Sequence, residues 1–384
     1  MSTKAKRYNI VVSTHDSIAP IKGGGGLRTL KVASEFKKRG HNVLIIAPVD
    51  KIEEISGIRI YRICPPRKQY SQILSSIKFN IRLLRRLFQF VKTADIVFAH
   101  NTIAAATIPF LKKIFKFRFF LDITDIHAEY LLVGKRNILE KVLTPYVLKY
   151  EYFIIKSADF ITVATRAMKE LLMLKGVNES KIEIVYDGVD IENVPTLKDH
   201  DAEYGIIHLG AIDRQHGVEV LIQAIPYILT EIPQAKIYFV GGGRELKNMK
   251  KLAMRLKVIR HCIFTDTLSQ GAARKFLKKS TVGVIPRRDT LPNRIITTLK
   301  IYEYWASQTV VLSAALEGVK EIALNNENVL WFQSGSAKKL GEKIILLFKN
   351  KLLREKLIQG GIAAVSKFDI AVSASKIADF VLKY

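Results

Sequence analysis

Two cysteines in 384 residues, Cys64 and Cys262, are too few and too widely spaced for a disulfide framework or a metal knuckle. They point to a reducing compartment and to no thiol chemistry. Long apolar runs are missing as well. None reaches the roughly 20 residues that a membrane-spanning helix needs, and the opening MSTKAKRYNIVVS enters a strand without the layout of a signal peptide. The expected location is therefore cytoplasmic. Acidic residues are scarce: Lys and Arg number 61 against 35 Asp and Glu, a formal net charge of +26. Such a surplus selects for polyanionic partners, whether nucleic acid, anionic lipid headgroups or phosphorylated substrates. What is present is ordinary for a folded protein, 48% hydrophobic and 25% charged, which excludes wholesale disorder. The length suits two domains.

The pattern along the chain is strand and helix in alternation. YNIVVS, HNVLIIAP, IRIYRI, ADIVFAH, RFFLDIT, ADFITVAT and IEIVYDGVD read as strands of the buried type in the first half. A helix is expected from about Leu27 to Arg39, stopped at Gly40, and a long basic one over Ser71–Lys92. After IEIVYDGVD the periodicity fades through a polar stretch, which puts a domain boundary near residue 200. The alternation restarts with GIIHLGAI, KIYFVGGG, CIFTDT, TVGVIP, TVVLSA and ENVLWF. Continuous apolar strands separated by helices imply parallel sheets covered on both faces. Two doubly wound domains in tandem put ligands at the carboxyl ends of the strands.

Between the first strand and the first helix stand four consecutive glycines, Gly23–Gly26. Glycines there let backbone N–H groups approach a ligand closely, or simply let the loop bend. A Rossmann dinucleotide fingerprint is the rival, but GGGGLR lacks its spacing and no acidic residue ends HNVLIIAP. GGGREL at Gly241–Leu246 is a second loop of this kind, also without the fingerprint.

Five segments in order resemble one family: GGGGLRTLKVASEFKKRGHNV, KSADFITVATRAMKELLMLKGVNESKIEIVYDGVD, HLGAIDRQHGVEVLIQAI, IFTDTLSQGAARKFLKKSTVGVIP and LKIYEYWASQTVVLSAALEGVKEIALNNENVLWF. They are similar to the two-domain retaining glycosyltransferases, family four of the GT-B fold. The resemblance implies two Rossmann-like domains facing across a cleft. Residues 1–195 would bind the acceptor, 204–369 the nucleotide-sugar donor, and a helix over 370–384 would cross back to the first domain. It also implies transfer with retention and without a metal. The donor would be a UDP-sugar, with a GDP-sugar as the second choice.

By the same resemblance Glu303 falls on the glutamate that holds the ribose hydroxyls, and Lys300, one helical turn earlier, faces the same ligand. Two departures stand out. The first glutamate of the family pair falls at Ile295, and the Arg and Lys of the phosphate loop fall at Ala211 and His216. Arg214 is the neighbouring cation expected to take over the leaving diphosphate, and Asn293 and Arg294 are expected to substitute at the sugar. Gly24 and Gly25 are expected to face the donor diphosphate. On the acceptor side LDITDIHAEY ends a strand with Asp122, Asp125, His127 and Glu129. By position Asp125 and Glu129 resemble the Asp and Glu of a common family segment. A strand-end Asp125 is placed to accept the acceptor hydroxyl's proton, or else to cap the following helix; His127 stands beside it.

The stretch Leu74–Lys92 carries five basic residues and no acidic one. At about 100° per residue Leu74, Ile77, Ile81, Leu84, Phe88 and Val91 share one stripe, widened by Phe79, Leu83, Leu87 and Phe90, with Lys78, Arg82, Arg85 and Arg86 opposite. This suits a helix lying in a membrane interface; the alternative is a helix packed into the core. LKKIFKFRFF follows close behind, and no nucleic-acid recognition motif is present. The expectation is a glycosyltransferase at the inner face of the cell membrane, peripheral and acting on a lipid-linked or glycan acceptor. A non-catalytic basic binding protein on the same fold and a nucleotide-sugar epimerase are the alternatives.

Overall fold

The computed structural model describes residues 6–21, 23–51, 53–64, 73–133, 138–194 and 204–384. The chain forms two compact units, Met1–Asp187 with Ile370–Tyr384, and Gly188–Asp369. The boundary read near residue 200 lies within 195–203, outside the described residues.

The first unit is built on β1 (Asn9–Thr14), β2 (Asn42–Ala47), β3 (Glu53–Ile55), β4 (Ile58–Arg62), β5 (Ile96–His100), β6 (Arg118–Ile123), β7 (Phe160–Val163) and β8 (Ile182–Ile184). Their order in the sheet is β3-β4-β2-β1-β5-β6-β7-β8. Every pairing is parallel except β3 with β4. β3 is three residues long, reads EEI and lies on the edge, where charge guards against further pairing; with no apolar run it left no sequence signal. Helices α1 (Gly24–Lys38), α2 (Ile73–Phe90), α3 (Ile108–Lys112), α4 (Ile138–Ser157) and α5 (Arg166–Leu174) cover the sheet.

α1 starts at Gly24, a turn earlier than the Leu27 expected from periodicity, so three of the four glycines are helical. The reason is crowding. A Cβ on Gly25 would lie 2.2 Å from Asp16 Oδ2 and 2.8 Å from His100 Nε2, and one on Gly26 would lie 2.3 Å from the Ser17 carbonyl. The segment after β1 packs directly on the helix start, and only glycine fits there.

α2 turns Phe79, Leu83 and Leu87 into the unit and leaves Ile77, Ile81, Leu84 and Phe88 exposed. The sequence stripe is thus split: its flank is the core contact and its centre faces solvent. Ser71 and the side chain of Leu74 lie outside the described residues.

The second unit carries β9 (Gly205–Leu209), β10 (Lys236–Val240), β11 (Cys262–Phe264), β12 (Val282–Ile285), β13 (Val310–Ala314) and β14 (Leu330–Phe332). All pairings are parallel, in the order β11-β10-β9-β12-β13-β14. Around it pack α6 (Val218–Glu231), α7 (Leu246–Arg255), α8 (Gln270–Lys278), α9 (Leu291–Arg294), α10 (Leu299–Ala306), α11 (Glu317–Lys320), α12 (Ala337–Lys349) and α13 (Lys351–Val365). β9 and β12 pair only at Val282 with Ile206 and Gly283 with Ile207. Beyond that, the Tyr304 hydroxyl accepts from Leu209 N at 3.0 Å and donates to the Ile207 carbonyl at 3.3 Å, so the buried strand keeps its hydrogen bonds.

The last helix, α14 (Ile370–Lys383), belongs to the first unit. Ala374, Ile377, Ala378 and Val381 enter the core formed by Val32 and Phe36 of α1 and Ile45 and Ile60 of the sheet. Arg39 clips it in place, donating to Asp379 Oδ1 at 2.7 Å and Ser375 Oγ at 2.9 Å.

Candidate active site

In each sheet the strand order reverses at one place, between β1 and β5 in the first unit and between β9 and β12 in the second. Crevices of doubly wound sheets open at such points, and the polar residues collect there.

In the first unit Arg28 of α1 is 1% exposed and grips fully buried Asp122 at the end of β6, with Nε to Oδ2 and NH2 to Oδ1 both at 2.8 Å. Asp122 also accepts from Thr162 Oγ1 at 2.7 Å and lies 2.8 Å from His100 Nδ1. Burial alone would raise its carboxyl, but the Arg28 charge and hydrogen bonds, with His100, hold it far below the usual range. The same guanidinium reaches Asp187 Oδ1 at 3.0 Å and the Val185 carbonyl at 3.1 Å. There burial outweighs Arg28, and Asp187 is pushed up. Burial would lower His100, yet the hydrogen bond to Asp122 and the charges of Asp122 and Asp16 hold it above its ordinary value.

Asp125 and His127 follow β6 on a turn that is itself held. Asn101, in the left-handed region at φ 63°, accepts from Thr124 N at 2.9 Å and Asp125 N at 3.3 Å. Buried Glu151 of α4 accepts from His127 N at 3.0 Å and Ala128 N at 2.7 Å. The half-buried Asp125 carboxylate accepts from Tyr130 OH at 2.9 Å, and no helix-capping bond from it is formed among the described residues. His127 meets His15 edge-on at 5.0 Å. Glu129 is turned inward and takes the Tyr152 hydroxyl at 2.9 Å.

In the second unit the switch point is lined by two histidines and two cations. His208 is the penultimate residue of β9, and His216 closes the turn Arg214–His216 before α6. Lys300, in the first turn of α10, is only 8% exposed. Gly210 at φ 112° has no Cβ, which would otherwise stand 2.9 Å from Lys300 Cε. Glu303, one turn further along α10, is half-buried. Asn293 is fully buried and ties the loops together, donating to the Gln215 and Arg288 carbonyls at 2.9 Å each and accepting from Arg287 NH1 at 2.8 Å. Other expected residues lie further out. Arg294 is half-exposed and paired with Asp289, and Arg214 is 43% exposed with Glu245 at 3.5 Å. Ile295 is buried and offers no carboxylate. Arg287 and His208 were not singled out from sequence. In VIPRRD nothing distinguishes the buried Arg287 from Arg288, which is exposed and bonded to Glu219.

Both histidines resist protonation. Burial first, then the charge of Lys300, holds His208 down at about 3, and burial, Lys300 and Arg287 hold His216 well below 6.5. Their folded values are lowered, so as pH falls below 6.5 the unfolded chain gains protons that the folded unit refuses, and stability drops. Each histidine adds a slope of up to about 1.4 kcal/mol per pH unit. Urea titrations at pH 6.5 and 4.5 should show a smaller pH effect in His208→Asn/His216→Asn than in the parent; equal slopes would exclude these two as its source.

The comparisons agree with this architecture. The model for glycosyl transferases group 1 matches residues 192–363, and that for Glycosyltransferase Family 4 matches residues 22–193. An uncharacterized glycosyltransferase of Methanocaldococcus jannaschii is 23% identical over 330 residues, 81% of each chain. A phosphatidyl-myo-inositol mannosyltransferase of Mycobacterium leprae is 24% identical over 173 residues, 45% of this chain and 44% of that one. The solved structure of Anabaena HepE in complex with UDP and glucose superposes with a TM-score of 0.78 at 14% identity, covering 98% of this chain and 100% of that one. Two doubly wound units of this kind define the GT-B fold. Its two halves place the chain among the glycosyltransferases of the group 1, family 4 type.

Proposed function

We propose that the chain moves a sugar, with retention, from a UDP-sugar, or failing that a GDP-sugar, to a lipid-linked glycan or lipid acceptor at the inner face of the cell membrane. The observation that carries the donor half is the buried Lys300 at the β9–β12 switch point, with Glu303 one helical turn away. An ammonium facing the switch point is placed for an anionic ligand there, and a nearby carboxylate suits the ribose hydroxyls. As the bond from the anomeric carbon to the diphosphate oxygen breaks, negative charge grows on the leaving group. A fixed cation stabilises that charge more in the transition state than in the ground state. The acceptor hydroxyl supplies the new bond to the anomeric carbon and gives its proton to Asp125, with His127 lining the same turn. HepE, a structural relative, is known with UDP and glucose bound, which favours the uridine donor. If Glu303 holds the ribose, Glu303→Ala should weaken nucleotide binding by about 1.5–3 kcal/mol in calorimetry, the range for a hydrogen bond to a charged group, with an unchanged melting temperature. Equal affinity would remove the assignment.

The membrane half rests on the exposed face of the first unit. Ile77, Ile81, Leu84 and Phe88 of α2 stand in solvent, and Phe88 meets Phe115 at 5.5 Å. Beyond, exposed Phe110 of α3 stacks on Tyr150 of α4 at 6.4 Å. Beside the α2 stripe, Arg62, Ile63, Arg82, Arg85, Arg86 and Gln89 line a concavity of about 370 Å³. Apolar insertion flanked by arginine is the chemistry of a peripheral membrane surface. The acceptor class follows from that location, and one relative's name carries a phosphatidyl-inositol acceptor.

A further inference from the structure

We infer that Arg287, at the carboxyl end of β12, is the guanidinium that holds the donor's diphosphate, closing with Lys300 and His216 an anion site in the second unit. The inference rests on the donor reading above and names a residue for it that the family resemblance did not supply.

The chain buries two arginines in opposite circumstances. Arg28 is 1% exposed and is compensated by Asp122 and Asp187. Arg287 is 9% exposed, and among the described residues no carboxylate lies within 4.0 Å of it. Among the described residues its guanidinium bonds only through NH1 to Asn293 Oδ1, and its Nε has no partner. A guanidinium is permanently charged, so leaving it buried without an acid costs free energy unless an anion arrives. Lys300 brings a second buried charge to the same place, since both cations act on His208 and on His216.

The surroundings are built around this residue. Gly217 is left-handed at φ 66°, and a Cβ on it would sit 1.9 Å from the Pro286 carbonyl. The turn Arg214–His216 therefore packs against the Pro286–Arg288 segment, fastened by the Asn293 amide to Gln215 and Arg288. His216 and His208 each leave Nδ1 buried and unbonded. Two fixed charges and polar groups short of partners are the lining that phosphate oxygens satisfy. By contrast, Arg214 already has Glu245 nearby and is more than two-fifths exposed.

The test is calorimetry on the full chain at fixed pH and salt with UDP, GDP, ADP and the corresponding phosphate-free nucleosides. For the nucleoside diphosphate that the parent binds, Arg287→Gln should lower affinity roughly ten- to a hundred-fold. Affinity for the nucleoside should stay within about twofold, and Arg287→Lys should recover much of the loss. Diphosphate affinity unchanged in Arg287→Gln overturns the assignment. So does an equal loss for nucleoside and diphosphate, because the arginine would then only prop the loop through Asn293. If the parent binds none of the three diphosphates, the donor reading itself fails, and this assignment with it.

Discussion

Arg28→Met should destabilise the first unit by about 3–5 kcal/mol, the cost of removing one partner from a buried ion pair. The loss has a specific cause. Asp122 is fully buried, and with the guanidinium gone its charge keeps, among the described residues, only Thr162 and His100. In the parent the Asp122 carboxyl is depressed, so its contribution is present above the unfolded value near 4 and is lost as pH falls below it. Without Arg28, burial takes over and raises the carboxyl; the folded variant then accepts a proton readily. The gap between variant and parent should therefore narrow from pH 7 to pH 4 in urea or thermal titrations. A loss under about 1 kcal/mol at pH 7 would mean that water reaches Asp122 and that the pair does not hold the unit together.

Replacing Arg82, Arg85 and Arg86 with Glu should abolish flotation on anionic vesicles while leaving nucleotide binding in place, because the proposed donor residues belong to the other unit. Each basic residue near an anionic surface contributes about 1 kcal/mol, screened within a Debye length, so three reversals replace attraction to the surface with repulsion. In the parent, binding should need anionic lipid and weaken with salt. The core-packed alternative for α2 predicts that Ile81→Ser/Leu84→Ser unfolds the unit. Their exposure, 52% and 38%, instead predicts a protein that melts normally but no longer floats. Leu83→Ala, by contrast, removes a fully buried side chain and should cost about 2–5 kcal/mol. Salt-independent flotation, or none on anionic vesicles, would end the membrane proposal and leave the charge to a soluble anionic acceptor.

The strands were legible because both faces of a parallel sheet are covered, so Ile45 and Ile46 or Val11 and Val12 are buried as neighbours and write continuous apolar runs. β3 was not, since an edge of two glutamates and an isoleucine reads as loop. The start of α1 was misplaced because glycine is the poorest helix former after proline; the reason for it, Asp16 and Ser17 pressing on the first turn, is tertiary. For α2 the periodicity gave an apolar arc too wide to face one way, and only the packed structure separates Leu83 from Leu84. At the site, Lys300 and Glu303 came from a local motif on one helix. Arg287 meets Asn293 locally, six residues on, but joins His208 and His216 only because β9 and β12 lie side by side, a juxtaposition with no footprint in local spacing.

The return of α14 to the first unit has a consequence for biosynthesis. The second unit is one uninterrupted stretch, Gly188–Asp369, and can close as soon as it has left the ribosome. The first unit, although begun earlier, lacks Ile377 and Val381 from its core until Ile370–Tyr384 emerges, after the whole of the second unit. The order of synthesis and the order of completion are therefore opposite. Until Ile370–Tyr384 has emerged, the first sheet keeps the apolar surface around Phe36 and Ile60 uncovered, and a nascent chain stalled short of Ile370 presents that surface to chaperones, however complete its second unit.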